Sequence, residues 1–160
     1  MTINPQQFAD QVVIPTLQML EQKAGIPYSD TAFHLVMGTI AQESLMGTYI
    51  VQAMGPALGI GQIEPASLAT VLAALTPQEK TALATLATPA TPAHNVVGNL
   101  PYAVAITRLF YRHKPGFPAA NTVSALFDYY KQVYNTAAGA ATLMQFAQNW
   151  ALTGISLRAD

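Results

Sequence analysis

Apolar residues recur at three- and four-residue spacing in one stretch after another, and each stretch is closed by glycine or proline. Such a chain buries its apolar faces as a set of short helices, and it shows little of the alternation that strands require. From Phe8 to Leu20 the stripe runs through Val12, Val13 and Leu17, and Pro15 predicts a kink within it. Gly25-Ile26-Pro27 ends that element. Ser29 or Asp30 is the cap of the next helix, Thr31 to Ser44, in which Phe33, Val36, Met37 and Ile40 share one face. Gly47, Gly55, Pro56, Gly59 and Gly61 then make the following segment a loop or short irregular excursion. Helix resumes from Ser67 to Leu75. Thr76-Pro77-Gln78-Glu79 combines a threonine cap, proline at the first helical position and glutamate at the third, predicting a helix to about Leu86. Thr88 to Pro92 reads as a break, Pro101 to Arg112 as helix, and Lys114 to Pro118 as an interruption. Ala119 to Val133 and Thr142 to Leu152 complete the set. The expectation is an all-α fold of about six or seven helices, with residues 1–160 as a single domain, since no repeat or composition shift divides the chain.

Charged residues make up only 9% of the chain, far below the quarter typical of soluble domains, so the surface must be poor in charge. Two readings fit that balance: an apolar face docked against other subunits or a membrane surface, or an alanine-rich bias of the source organism. Seven basic and eight acidic residues leave a net charge of −1 with no cationic run, which argues against nucleic acid as a partner. There is no cysteine, so thiolate chemistry and disulfides are excluded. His34, His94 and His113 lack metal-ligand spacing, so neither a metal nor a cofactor is expected. The N-terminus has no basic n-region and no apolar h-region, and no segment is long and apolar enough to span a bilayer. The expectation is a protein made in the cytoplasm without a signal peptide.

The residue that draws attention is Glu43. It lies near the C-terminal end of its predicted helix with Ile40, Leu45 and Met46 as neighbours. Apolar surroundings and the negative end of a helix dipole both favour a protonated carboxyl, which can serve as a general acid near neutral pH. Taken by itself the pattern fits better a carboxylate that merely caps or pairs a helix end.

Three motifs in order change that balance. Ala41-Gln42-Glu43-Ser44 is followed by Gly59-Ile60-Gly61-Gln62-Ile63-Glu64-Pro65 and, near the C-terminus, by Val133-Tyr134-Asn135-Thr136-Ala137-Ala138-Gly139. Together they resemble the lysozyme-like lytic transglycosylases of the goose-type lysozyme superfamily. In that family a Glu-Ser pair ends a buried helix, a Gly-Leu-Met-Gln-type turn follows, and an Ala-Tyr-Asn-Ala-Gly-like segment comes later. The chain departs from the pattern in two places. Gly61 replaces a larger apolar residue, and the third element is one or two residues longer, which affects the placement of Gly139. The run from Gly55 to Ala66 and the ending with Asn149-Trp150 resemble phage-associated members in particular.

The resemblance implies a single lysozyme-like helical domain with a catalytic cleft that cuts the MurNAc-GlcNAc β-1,4 bond of peptidoglycan glycan strands. Glu43 would act first as acid and then as base, because in a transglycosylase the muramyl 6-hydroxyl supplies the nucleophile and a 1,6-anhydro product forms. A muramidase, leaving reducing ends, is the other outcome. Gln62 would meet an N-acetyl group or satisfy its own glycine-rich turn. Gly59 belongs to that same turn on the substrate side. Ser44 would orient Glu43 or cap the helix. Tyr134 and Asn135 would face the glycan, and Tyr49 could stack on a sugar. Tyr129 and Tyr130 read as core or cleft wall, His34 as a buried or edge histidine, and Trp150 as a core anchor. Glu64 and Asp128 read as solvated carboxylates, not as a second catalytic group. Delivery to the wall would need a virion particle or a separate membrane-permeabilising factor. The rival expectation is a catalytically inactive lysozyme-like structural virion protein, in contact with other virion proteins.

Overall fold

In the computed structural model, which describes residues 3–136 and 139–157, the chain is all-helical, and the only β-pairing among those residues is two isolated bridges. The elements are α1 (Pro5–Phe8), a π-helical turn (Ala9–Val13), α2 (Ile14–Ala24), α3 (Asp30–Ser44), α4 (Pro65–Ala74), α5 (Pro77–Ala84), α6 (Pro92–Gly98), α7 (Leu100–Arg112), α8 (Val123–Tyr130), a second π-helical turn (Lys131–Asn135) and α9 (Leu143–Ala151).

The expected six or seven helices fall short of this for two physical reasons. The first predicted helix is divided: Pro15 has no N–H and its ring presses on the carbonyl four residues back, and the backbone widens to a π turn just before it, with the Ile14 N–H reaching Ala9 O. The break expected at Thr88 to Pro92 is present from Thr88 to Thr91, but its last residue, Pro92, opens a further helix, α6, which the sequence reading did not include. Thr91 caps it by accepting from the His94 N–H, and Pro92 occupies the first turn, where a missing N–H costs nothing. Thr122 likewise caps α8 through the Ala125 N–H, so that helix starts later than Ala119. The capping box at Thr76 and Glu79 and the left-handed stop at Gly25 (φ 64°) stand as the sequence indicated.

α3 is the axis of the molecule. Every residue from Thr31 to Ala41 is buried, so the helix is enclosed all round instead of presenting one stripe. It packs against α7, α8, α9 and the first π turn. Within it Thr39 Oγ1 donates to Leu35 O (2.8 Å) and lies 2.7 Å from the Tyr111 hydroxyl. The His34 ring is bonded to Asn121 and stands edge-on to Trp150. Gly38 lets α9 close on α3, because a Cβ there would lie 2.6 Å from Phe146 Cζ. Two buried clusters result. The larger gathers Leu17, Val36, Met37, Ile40, Ile60 and Val104; the smaller, around Leu35, Tyr111, Leu126, Tyr130 and Phe146, is largely aromatic and backs the site.

Candidate functional site

α3 ends in an abrupt reversal. Leu45, Met46 and Gly47 follow one another at φ 48°, 54° and 77°, and left-handed backbone at a residue with a side chain costs about 1–2 kcal/mol. The turn is held by Ser44, whose Oγ donates to Ile40 O (3.0 Å) and accepts from the Gly47 N–H (2.9 Å), while Ser44 O receives the Thr48 and Tyr49 N–H groups. Ser44 is fully buried and does not line the cleft described below. Of its two expected roles the structure shows the cap, and its place among substrate-facing residues is corrected.

Beyond the reversal the chain folds back on itself, with Val51 bridging Leu58 and Leu58 bridging Ile63. The turn Gly59 to Gln62 closes that second pair. Gly59 has φ 70° and a Cβ on it would collide with the Val96 carbonyl, so only glycine fits. It is buried against α6 and not in the cleft lining, a second correction. Gln62, at φ 46°, donates from Nε2 to Gly59 O (2.8 Å), which satisfies its own turn, and it also lines the cleft. The departure at Gly61 has a spatial cause. A Cβ there would lie 2.6 Å from Thr107 Oγ1 and 3.0 Å from the Tyr134 hydroxyl, which donates to Gly61 O at 2.7 Å.

These segments enclose an open cleft of about 800 Å³. Glu43, Gln62, Tyr134, Asn135 and Gly139, drawn from all three motifs, line it together with Tyr49 from the loop between the first two. Ala137 and Ala138, in the middle of the third motif, lie outside the described residues. Gly139 sits tight on Asn135: a Cβ on it would overlap that side chain, so the longer third element still brings glycine against asparagine.

Glu43 is half-buried in the last turn of α3. Burial pushes its carboxyl above the ordinary value of 4.5, and a hydrogen bond from the Tyr130 hydroxyl to Oε1, at 2.6 Å, opposes part of that rise. Behind it stand Phe110, Tyr111, Tyr130 and Tyr134, with ring centroids 4.6 Å (Phe110 to Tyr134), 5.4 Å (Tyr111 to Tyr134) and 6.1 Å (Tyr130 to Tyr134) apart. Burial first, and then the charge of Glu43, push the Tyr130 and Tyr134 hydroxyls far above their usual range, so both stay protonated. The Asn135 carboxamide bonds the Tyr130 hydroxyl from the other side, and Lys131 Nζ donates to Asn135 Oδ1 at 2.8 Å. The ammonium thus fixes which way the amide points, and Tyr130 is left to donate to Glu43.

Tyr130 was expected as core or cleft wall; it is the direct partner of Glu43. Tyr130 and Tyr134 are four residues apart, a spacing that puts both rings on one helical face, and that was the signal available in the sequence. Of the other carboxylates, Glu64 is exposed at the cleft's rim, where it precedes α4 without capping it, and Asp128 is exposed and outside the lining. Among the described residues no three His, Asp or Glu side chains converge as metal ligands. No known protein family, curated protein or solved structure matches the chain.

Proposed function

We propose that the chain cleaves peptidoglycan glycan strands at the MurNAc-GlcNAc β-1,4 bond as a lysozyme-like lytic transglycosylase or muramidase, in the service of phage lysis or carried on the virion. The observation that carries this reading is Glu43: a carboxyl pushed above its ordinary range by burial, accepting at Oε1 from the Tyr130 hydroxyl, and lining an open cleft of about 800 Å³. The protonated carboxyl gives its proton to the glycosidic oxygen. The carboxylate left behind is stabilised by the Tyr130 donor and then takes a proton from the nucleophile, which is the muramyl 6-hydroxyl in a transglycosylase or water in a muramidase. Tyr49, Gln62, Tyr134 and Asn135 line the path the glycan would take.

A second reading keeps the fold without the reaction, as a structural virion protein. It is favoured by the charge-poor composition and by the apolar rim of the cleft, where Tyr49, Ile50, Val51 and Met54 are 51%, 47%, 49% and 98% exposed.

One experiment separates them. Purified protein is incubated with peptidoglycan over several pH and salt conditions, and soluble muropeptides are analysed for anhydromuramyl or reducing ends. The wild type should release them and Glu43→Gln should not, with a loss of at least about a hundredfold, while Glu64→Gln and Asp128→Asn should keep most activity. A wild type that releases nothing establishes the structural reading. An active Glu43→Gln beside a dead Glu64→Gln overturns the site assignment.

A further inference from the structure

Three of the chain's seven basic residues, Arg108, Arg112 and Lys114, line one small depression of about 200 Å³ where the end of α7 meets Ser29 at the start of α3. In a molecule with so few charges this concentration needs a cause. Arg108 is the unusual member, for it is only 6% exposed. Its Nη2 donates to Pro27 O at 3.3 Å, and the Phe117 ring lies over its guanidinium, 5.5 Å from centroid to Cζ. Among the described residues no acceptor is shown for Nε or Nη1, and Arg108 is one of the residues that line the depression. Burial, and after it the charge of Arg112, pull this guanidinium down to about 10.

Among the described residues no carboxylate answers that charge. The ion pairs among the described residues are those of Glu79 with Arg112 (3.8 Å) and with His113 (3.1 Å), and neither Glu79 nor Asp30 lines the depression. Lys114 Nζ stands 5.6 Å over the Phe110 ring, an interaction that leaves its charge unneutralised. A buried guanidinium normally has a paired anion, because desolvating it alone is costly. Its planar fork suits an oxyanion presenting two oxygens, and two further cations at the sides favour one carrying more than a single negative charge.

We propose that this depression is a binding site for one phosphoryl-type oxyanion, held by the Arg108 fork with Arg112 and Lys114 at its sides. It goes beyond the glycan-cleaving reading and does not depend on it. The group could come from soluble phosphate or from a phospholipid headgroup, and the test distinguishes the two.

The whole chain, labelled with nitrogen-15, is titrated with inorganic phosphate at constant ionic strength, and the Arg108 Nε–H resonance is followed. A saturable shift is expected that acetate and chloride do not reproduce. Arg112→Gln combined with Lys114→Gln, at exposed positions and with His113 still bonded to Glu79, should raise the Kd at least about tenfold while the circular dichroism stays that of the wild type, as loss of a charge-assisted hydrogen bond does. In a second arm the protein is sedimented with phosphatidylglycerol or phosphatidylcholine vesicles. Binding to the first alone, lost in the double variant, assigns a lipid phosphate; a phosphate shift without vesicle binding assigns a soluble one. Absence of both, an equal shift with acetate, or a double variant that binds like the wild type overturns the proposal.

Discussion

Gly61→Ala tests how tightly the turn that carries Gln62 is locked to the rest of the site. The backbone of Gly61 is not in the left-handed region, so alanine is strained only by what its methyl group would meet. That is Thr107 Oγ1 at 2.6 Å and the Tyr134 hydroxyl at 3.0 Å. Thr107 is buried in α7 and its hydroxyl is tied to Ala103 O at 2.9 Å, so it has little room to yield. Overpacking of this kind costs about 1–3 kcal/mol. If the turn moves away, the bond from Tyr134 to Gly61 O is lost as well, which adds about 0.5–1.5 kcal/mol. The expected destabilisation is about 1.5–4.5 kcal/mol, a fall in Tm of roughly 3–18 °C for a chain of this size. Urea denaturation of wild type, Gly61→Ala, Thr107→Ala and the double variant closes a cycle. Because removing Oγ1 makes space for the new methyl group, the double variant should be more stable than additivity predicts by about 1 kcal/mol or more. A Gly61→Ala variant within about 0.5 kcal/mol of wild type, or an additive cycle, refutes the account of why glycine stands there.

Tyr130→Phe removes the only donor on Glu43 Oε1 among the described residues and should push the carboxyl further above its ordinary range, seen as an upward move of its carbon-13 titration. In the proposed reaction it should lower the rate about ten- to a hundredfold, since a hydrogen bond to a charged group contributes about 1.5–3 kcal/mol; an unchanged titration would show that the bond is not formed in solution. Glu43→Gln should change stability in a pH-dependent way. Because burial raises the carboxyl in the folded state, its contribution is fully present below 4.5, the ordinary value, and is lost as pH rises through the raised one, whereas glutamine loses nothing. Melting at a series of pH values should therefore show the variant gaining on wild type with rising pH and reaching a plateau; a gap that widens toward acid would reverse the sign of the shift.

The sequence made the helices legible because their periodicity and caps are local: Thr76 with Glu79, Thr142 with Gln145, Gly25 and Ser29 act within a few residues of themselves. It also brought out Glu43, Gln62, Tyr134 and Asn135, which the fold brings into one cleft. What escaped it lies in long-range packing. The burial of α3 on all sides depends on α7, α8 and α9 closing round it, so its hidden Thr39 looks in sequence like a polar residue on an exposed face. The pair of Glu43 and Tyr130 spans 87 positions. The role of Gly61 could not be read without knowing that Thr107 lies opposite, and the π turns show only as a proline in the wrong place and as nothing at all before Asn135.

Several features around Glu43 work against stability, and they occur together. Leu45 and Met46 hold left-handed backbone at a cost of about 1–2 kcal/mol each, and Glu43 itself is a carboxyl placed at the unfavourable end of a helix dipole and withdrawn from water. A cap that only had to end α3 would need none of this; a glycine after Ser44 would make the same turn without strain. The strain has a geometric result. By reversing immediately after Ser44 the chain buries Met46, sends Tyr49 to the cleft's rim, and leaves Glu43 lining the cleft with Tyr130 fixed on one of its oxygens. Backbone outliers persist where the surrounding structure over-determines them, and they gather at sites of function. Here Ser44 from within and Ile3, whose N–H bonds Met46 O at 3.0 Å, supply that determination. The cost falls on the segment that sets the acid in place, which supports reading Glu43 as a group kept for its chemistry.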